Sequence, residues 1–492
     1  MILINHFFEE TMSKRKKIIL LVIGLVVVNL VGYYFINKHV SEKRYIRKNY
    51  FSPEAKKDVD ALEKALKIMR EKDCNDPLSW YYQGAIHWIP DTITNNPLCS
   101  SYHTFEDKKV AWDNCTHSPS GKEKLHFLVW HRMYIYHFEK IVRKLSGHEE
   151  FALPYWAYTN NKLSDKFLHP KFRDPSSSLY EQARFDSLNN GEPISGEIER
   201  ALDLTKLMSY TSLQMFSNNI NAAPHGAMHD YIGHGNDPEG KRFFNQITNS
   251  YSEEGLMGWV PTAGFDPIFW MHHSNIDRIW QQWTNSDNGV EFTVEDLKSI
   301  PWEYTFFDEN GKKVNYDIED VIKVLYRMDY DFDDTKVQRK RNKNQLVRSV
   351  NQKVVGESSP KLSFNNQQTT NVLIKTPNLL RVSKNKSKVT IKISFSKRPK
   401  GVYEIYVNPG FNEILKPSNL SFVGFMTFFG ADHEMKGKDC GGACCKETTK
   451  DGRTLQTFEF ETYSYTDYNF VFYKHHEKHS GDLVIESVQI HR

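Results

Sequence analysis

Cysteine is sparse. Six residues in a chain of 492 are too few for a disulfide-built scaffold. Cys74 and Cys99 can pair if the domain is exported; Cys115, Cys440, Cys444 and Cys445 need a separate account. An excess of one charge is also lacking. The 64 Lys and Arg are nearly matched by 61 Asp and Glu, so there is no basic field to draw the chain to nucleic acid. No internal repeat is present, which excludes a solenoid. A long apolar run occurs once, from Ile18 to Ile36, behind Lys14, Arg15, Lys16 and Lys17. Its length suits a bilayer core. No small-residue cleavage site follows in Val31 to Phe35, so an uncleaved signal anchor is favoured over a cleaved signal peptide. The basic cluster argues for a cytoplasmic N-terminus, with the rest of the chain on the periplasmic or extracytoplasmic side. Lys38, Lys43, Arg44, Arg47 and Lys48 blur that asymmetry.

The remaining sequence changes character along its length. Residues 51–300 read as mainly helical. Val59, Leu62, Leu66 and Met69 mark one helical face over 55–69, and similar patterns cover 130–145 and 267–283. Residues 301–335 form a short middle domain with strand-like Tyr304 to Phe307, a turn at Asn310 and Gly311, and a short helix. Residues 336–372 are polar and basic and read as a linker, with a protease-sensitive activation site as the functional alternative. From 373 to 492 apolar and polar residues alternate in segments such as 389–395, 402–407, 420–429, 456–463 and 483–490. Strands at this spacing predict a sandwich-like domain.

Histidine is plentiful, at 20 residues, and several are tightly spaced. His225 and His229 are four apart, close enough on a helix to hold one metal. The residue after His225 is Gly226 and not the Glu of a zinc protease. His272 and His273 sit among aromatics, with Asn275 and Asp277 nearby to hold ligand rings by hydrogen bonds. Cys115 and His117 precede His126 and His131, and His87 stands alone in Gly84-Ala85-Ile86-His87. Each feature alone has an ordinary reading as core or surface. Burying so many neutral imidazoles without a metal would leave ring nitrogens wanting partners. One multi-metal site accounts for them together, and imidazole suits copper, zinc and iron.

These motifs resemble tyrosinases and catechol oxidases, whose centre holds two copper ions. The match spans residues 84–283, with a weaker one beyond. Trp130-His131-Arg132 with Tyr134 resembles the third copper A ligand and its helix. Cys115-Thr116-His117 resembles the second, with the Cys–His thioether of fungal enzymes, and His87 the first. His225 and His229 resemble the first two copper B ligands; counting from Asp266-Pro267 places the third on His273, with His272 its neighbour. The resemblance implies a four-helix bundle around a binuclear copper site. It further implies oxidation by dioxygen of o-diphenols, with some monophenols or o-aminophenols, to quinones or quinone imines. His117 and His131 lie fourteen apart, wider than the family spacing, which makes His126 a rival to His117.

Two substrate-controlling positions depart from the family. Asn221 stands where many members carry a Glu that helps deprotonate monophenols, and an amide cannot act as a base. Val260 stands where plant enzymes place a bulky Phe over copper A, which opens the site to larger phenols. Tyr330 and Phe332 resemble the Tyr-x-Tyr/Phe motif of plant enzymes, and the β-rich tail resembles the domain that covers their active site in the latent state. Cys440, Cys444 and Cys445 could serve copper transfer or close a disulfide loop. A dioxygen carrier and, further off, a zinc hydrolase are the competing classes.

Overall fold

The computed structural model describes residues 44–87, 98–99, 125–233, 242–298, 304–337, 353–359, 361–363, 368–376, 386–431, 447–474 and 482–492. Cys115, His117, Cys440, Cys444, Cys445 and the apolar run at 18–36 lie outside them. Among the described residues no helix is long and apolar enough to cross a membrane.

The first half of the described chain is helical, as its periodicity predicts. Helix α1 (Lys56–Glu71) buries Val59, Leu62, Leu66 and Met69. Helix α2 (Trp80–His87) is buried on every side, which its apolar, aromatic composition permits. Helix α3 (His126–Ser146) stops at Gly147, which takes the left-handed conformation common at helix ends. Ser212 caps α4 (Leu213–Ile220), its hydroxyl accepting from the Met215 amide. Pro224, which lacks an amide proton, falls in the turn Asn221–Gly226, and the chain resumes as α5 (Ala227–Ile232). Helix α6 (Ile268–Thr284) is buried along most of its length. Thus α2, α3, the α4–α5 pair and α6 carry the described histidine clusters.

The middle segment forms an antiparallel hairpin, β1 (Tyr304–Phe307) and β2 (Lys313–Tyr316), then α7 (Ile318–Leu325) and β3 (Tyr330–Phe332). Beyond it the chain is a two-sheet sandwich. In chain order its strands are β4 (Val354–Ser358), β5 (Leu362–Ser363), β6 (Thr369–Lys375), β7 (Lys386–Phe395), β8 (Tyr403–Val407), β9 (Phe422–Met426), β10 (Glu447–Thr448), β11 (Thr454–Tyr463), β12 (Asp467–Lys474) and β13 (Val484–His491). One sheet runs β10-β11-β7-β13-β4, with β5 also on β13; the other runs β9-β8-β12-β6. The pairings are antiparallel. Val389, Ile391, Ile393, Ile405, Phe470 and Phe472 fill the space between the sheets, the alternation expected of half-buried strands.

The linker expected over 336–372 is shorter than its polarity suggests. Strands β4 and β5 lie inside it and pair with β13, and β6 begins at Thr369. Strand β4 lies at the end of its sheet, where one side of the backbone needs no partner and few apolar residues are required. That is why β4 carries a weak apolar signal. Strand β12 adds a further element beyond the expected segments, with Tyr468, Phe470 and Phe472 turned into the core.

The sandwich is tied to the helical part by polar contacts. Arg200 forks onto Glu404 at 2.6 and 2.7 Å, and Glu404 is fully buried. Lys206 Nζ donates to the Glu461 carbonyl at 2.8 Å, and Thr427 Oγ1 to the Ala222 carbonyl at 3.0 Å. These contacts bring the stretch after β9 against the turn that carries His225.

Candidate metal centre

Six buried histidines converge where α2, α3, the 221–232 segment and α6 meet: His87, His131, His225, His229, His272 and His273. The rings of His131 and His273 stack, with centroids 4.2 Å apart and planes 7° apart. His225 lies 4.5 Å from His229 and 5.1 Å from His273, and His87 lies 5.7 Å from His131. Phe127 and Phe269 fill the gaps: Phe127 is 4.5 Å from His225, and Phe269 is 4.2 Å from His273 and 4.9 Å from His87. One ring nitrogen from each of His225, His229, His272 and His273 falls within 4.8 Å of the others.

The hydrogen bonds fix which nitrogen faces inward. His87 Nδ1 meets the Val260 carbonyl at 2.9 Å, and His131 Nδ1 the Phe127 carbonyl at 2.7 Å. His225 Nδ1 meets the Asn221 carbonyl at 3.1 Å, and His229 Nδ1 the Met257 carbonyl at 2.9 Å. A carbonyl can only accept, so Nδ1 must carry the proton in all four rings. A neutral ring then keeps its lone pair on Nε2. Neutrality is enforced by the surroundings: burial pushes His131 and His229 down to about 3. Burial, reinforced by neighbouring histidines, holds His272 and His273 well below the usual value. His229 Nε2 and His273 Nε2 approach to 3.4 Å. His272 Nε2 and His273 Nδ1 are buried and have no hydrogen-bond partner among the described residues. A set of neutral imidazoles with inward lone pairs fits a copper ion or another imidazole-seeking metal.

Each sequence-derived position can now be placed. His87, His131, His225, His229 and His273 come together. His272 joins them: its Nδ1 is held by the Tyr158 hydroxyl at 2.8 Å, a contact with no local sequence signal. His126 does not join. It lies five residues before His131, on another face of α3, and its Nδ1 meets the Tyr304 hydroxyl of the middle segment at 2.5 Å. Burial holds it neutral, at about 4. His117 and the Cys115 thioether lie outside the described residues.

Among the described residues, Asn275 and Asp277 bond to side chains other than the histidine rings. Asp277 accepts from Arg47 at 2.9 Å, from Arg132 at 2.5 Å and from the Tyr330 hydroxyl at 2.5 Å. Asn275 Oδ1 accepts from Arg278 at 3.2 Å. Main-chain carbonyls take the orienting role assigned to these side chains, because the loop at 254–262 and the helix turns already present acceptors at the right height.

Val260 and Asn221 are both at the site, through their carbonyls. Asn221 also lines a cavity of about 40 Å³ with Asn218, Thr427, Phe429 and Gln456. Phe429, from the sandwich, stacks on His229 at 4.3 Å with planes 19° apart and lies 5.8 Å from His225. Gly226 makes room for this approach. A Cβ there would meet Thr427 Oγ1 at 2.9 Å and Phe429 Cβ at 3.2 Å. Cys74 and Cys99 form the disulfide that an exported domain permits.

Part of the chain is similar to known proteins. Residues 77–202 and 182–286 match the common central domain of tyrosinase. A tyrosinase of Hahella sp. (strain CCB-MM4) is 29% identical over 279 residues, covering 52% of this chain and 57% of that protein. The chloroplastic polyphenol oxidase C of Solanum lycopersicum is 24% identical over 326 residues, covering 60% and 46%. The chain thus spans about half the length of these curated relatives. Its fold is similar to that of a latent aurone synthase (TM-score 0.60, 20% identity, 91% of this chain and 90% of that one). It is similar as well to that of latent apple tyrosinase (TM-score 0.61, 20% identity, 91% and 97%).

Proposed function

We propose that this chain, which carries the common central domain of tyrosinase within residues 77–286, is a copper-dependent oxidase that uses dioxygen to convert o-diphenols to quinones. The observation that carries this reading is the set of four Nδ1–carbonyl hydrogen bonds, which turn four Nε2 lone pairs into one buried, aromatic-walled space. In this reading His87, His131 and, from outside the described residues, His117 hold copper A; His225, His229 and His273 hold copper B. Two coppers held by these residues would supply two-electron exchange with dioxygen. The balance is two diphenols and one dioxygen giving two quinones and two waters.

The protein groups set what the site accepts. Asn221 offers an amide and no base, so a monophenol finds no proton acceptor at that position. This favours o-diphenols, or o-aminophenols, which already carry both oxidisable groups and need no hydroxylation. Val260 places a short branched side chain where a bulkier ring would narrow the entrance. Phe429 stacked on His229 occupies room that an aromatic substrate would need, so the sandwich acts as a cover and the chain is latent until the cover moves. The basic stretch after Lys336 is the natural place for cleavage. The Cys74–Cys99 disulfide and the apolar run at 18–36 support an exported, membrane-tethered catalytic part.

The test combines metal analysis with turnover. Purified full-length chain is expected to bind two coppers and, after limited proteolysis, to consume dioxygen with catechol faster than with a monophenol. Copper binding with reversible dioxygen uptake and no catechol turnover would identify a carrier. Zinc in place of copper would overturn the reading.

A further inference from the structure

The loop at 254–262 does more than wall the site. The Met257 carbonyl fixes His229, a copper B ligand in the reading above, and the Val260 carbonyl fixes His87, a copper A ligand. One short segment therefore orients one ring for each metal. Its own support is uneven. On one side it leans on the end of α5, where the Gly255 amide donates to the Gly233 carbonyl at 2.8 Å. A Cβ on Gly233 would come within 1.9 Å of the Gly258 nitrogen, so the two backbones touch. Thr262 Oγ1 closes the loop inward onto the Leu256 carbonyl at 2.9 Å. On the other side the support comes from the sandwich. Arg398 inserts a side chain only 6% exposed and pairs with Glu254. It also donates to the Gly258 carbonyl at 3.4 Å and stands 3.9 Å from Asp230, the neighbour of His229 on α5.

Gly258 lies between Met257 and Val260, so Arg398 grips the loop between its two ring-orienting carbonyls. A guanidinium suits this place because its fork serves a carbonyl and a carboxylate at once. We propose that Arg398 is a positioning residue: through the 254–260 loop, the C-terminal sandwich braces His87 and His229 and slows the loss of metal from the centre. The sandwich then has two separate effects on the site, occlusion by Phe429 and bracing by Arg398.

This inference rests on the copper reading, and the experiment separates the two. Full-length chain is loaded with copper, its metal content is measured, and release is followed with excess bicinchoninic acid under reducing conditions. If the wild-type chain holds no copper, the reading of the centre fails and the inference falls with it. If it holds copper, Arg398→Gln is expected to release it faster by about tenfold, the lower end of the effect of losing a group that orients a metal-binding histidine. Glu254→Gln, which removes the partner from the other side, is expected to shift release in the same direction, and Arg398→Lys to recover part of the loss. Arg200→Gln cuts a different tie between the same two parts, the fork onto Glu404 at 2.6 and 2.7 Å, and is expected to leave release unchanged. Wild-type release from folded Arg398→Gln and Glu254→Gln chains would overturn the proposal. So would equal acceleration by Arg200→Gln, since the effect would then belong to domain docking in general.

Discussion

The ring of Phe429 lies nearly flat on the ring of His229, with centroids 4.3 Å apart, although the two residues are 200 positions apart and belong to different parts of the fold. Removing the ring should open the space without disturbing His229, whose Nδ1 is held from behind by Met257. Phe429→Ala is expected to raise catechol oxidation by the intact chain about tenfold, equivalent to roughly 1.4 kcal/mol. Assays before and after limited proteolysis check this, and the variant should gain less from proteolysis than the wild type. An intact variant as slow as the intact wild type would show that Phe429 is not the obstacle.

His131 and His126 are expected to separate cleanly in metal content. His131→Gln removes a ring that stacks on His273 and should lose about half the bound copper or more. His126→Gln should keep its copper, because that ring faces Tyr304. Elemental analysis of the two purified variants decides the matter; copper loss in the His126 variant would restore that residue as a ligand.

Asp277 is expected to act on stability and not on metal. It accepts from Arg47, Arg132 and Tyr330, all buried. Asp277→Ala takes the carboxylate from Arg132 and one of two from Arg47, which keeps Glu139, and should destabilise the fold by about 3–5 kcal/mol. Thermal or denaturant unfolding measures that loss. Copper bound per folded chain should stay at the wild-type value, and a selective drop there would reinstate Asp277 as an orienting group.

His137 supplies a pH dependence away from the centre. It is buried against Phe306, with ring centroids 5.2 Å apart, and burial pushes it down to about 3. The unfolded chain binds this proton near pH 6.5, so between about 6.5 and 3 the unfolded state holds more protons than the folded one. Its neutral burial therefore favours folding fully above that window, and stability is lost as pH falls through it. At pH 5 this one group contributes a slope of about 1.4 kcal/mol per pH unit. His137→Phe should reduce the measured slope of unfolding free energy by close to that amount. An unchanged slope would mean that the ring is protonated in the folded state.

The sequence by itself determined the pieces whose signals are local. Val59, Leu62, Leu66 and Met69 mark α1 because a helix repeats every 3.6 residues, and the alternation from Val389 to Phe395 marks β7 because a strand repeats every two. The types and spacings of His225, His229 and His273 pointed to metal because imidazole pairs at such intervals reach one ion. What only the tertiary structure decided is non-local. His126 was sent to Tyr304, His272 was brought in beside Tyr158, and Asp277 was committed to Arg47 and Arg132. The orienting groups of four rings proved to be main-chain carbonyls, and every residue has one, so no residue type announces them. Phe429 and Arg398 reach the centre because the sandwich docks there. A phenylalanine after a strand and an arginine in a loop look ordinary until the fold shows which ring and which carbonyl they meet.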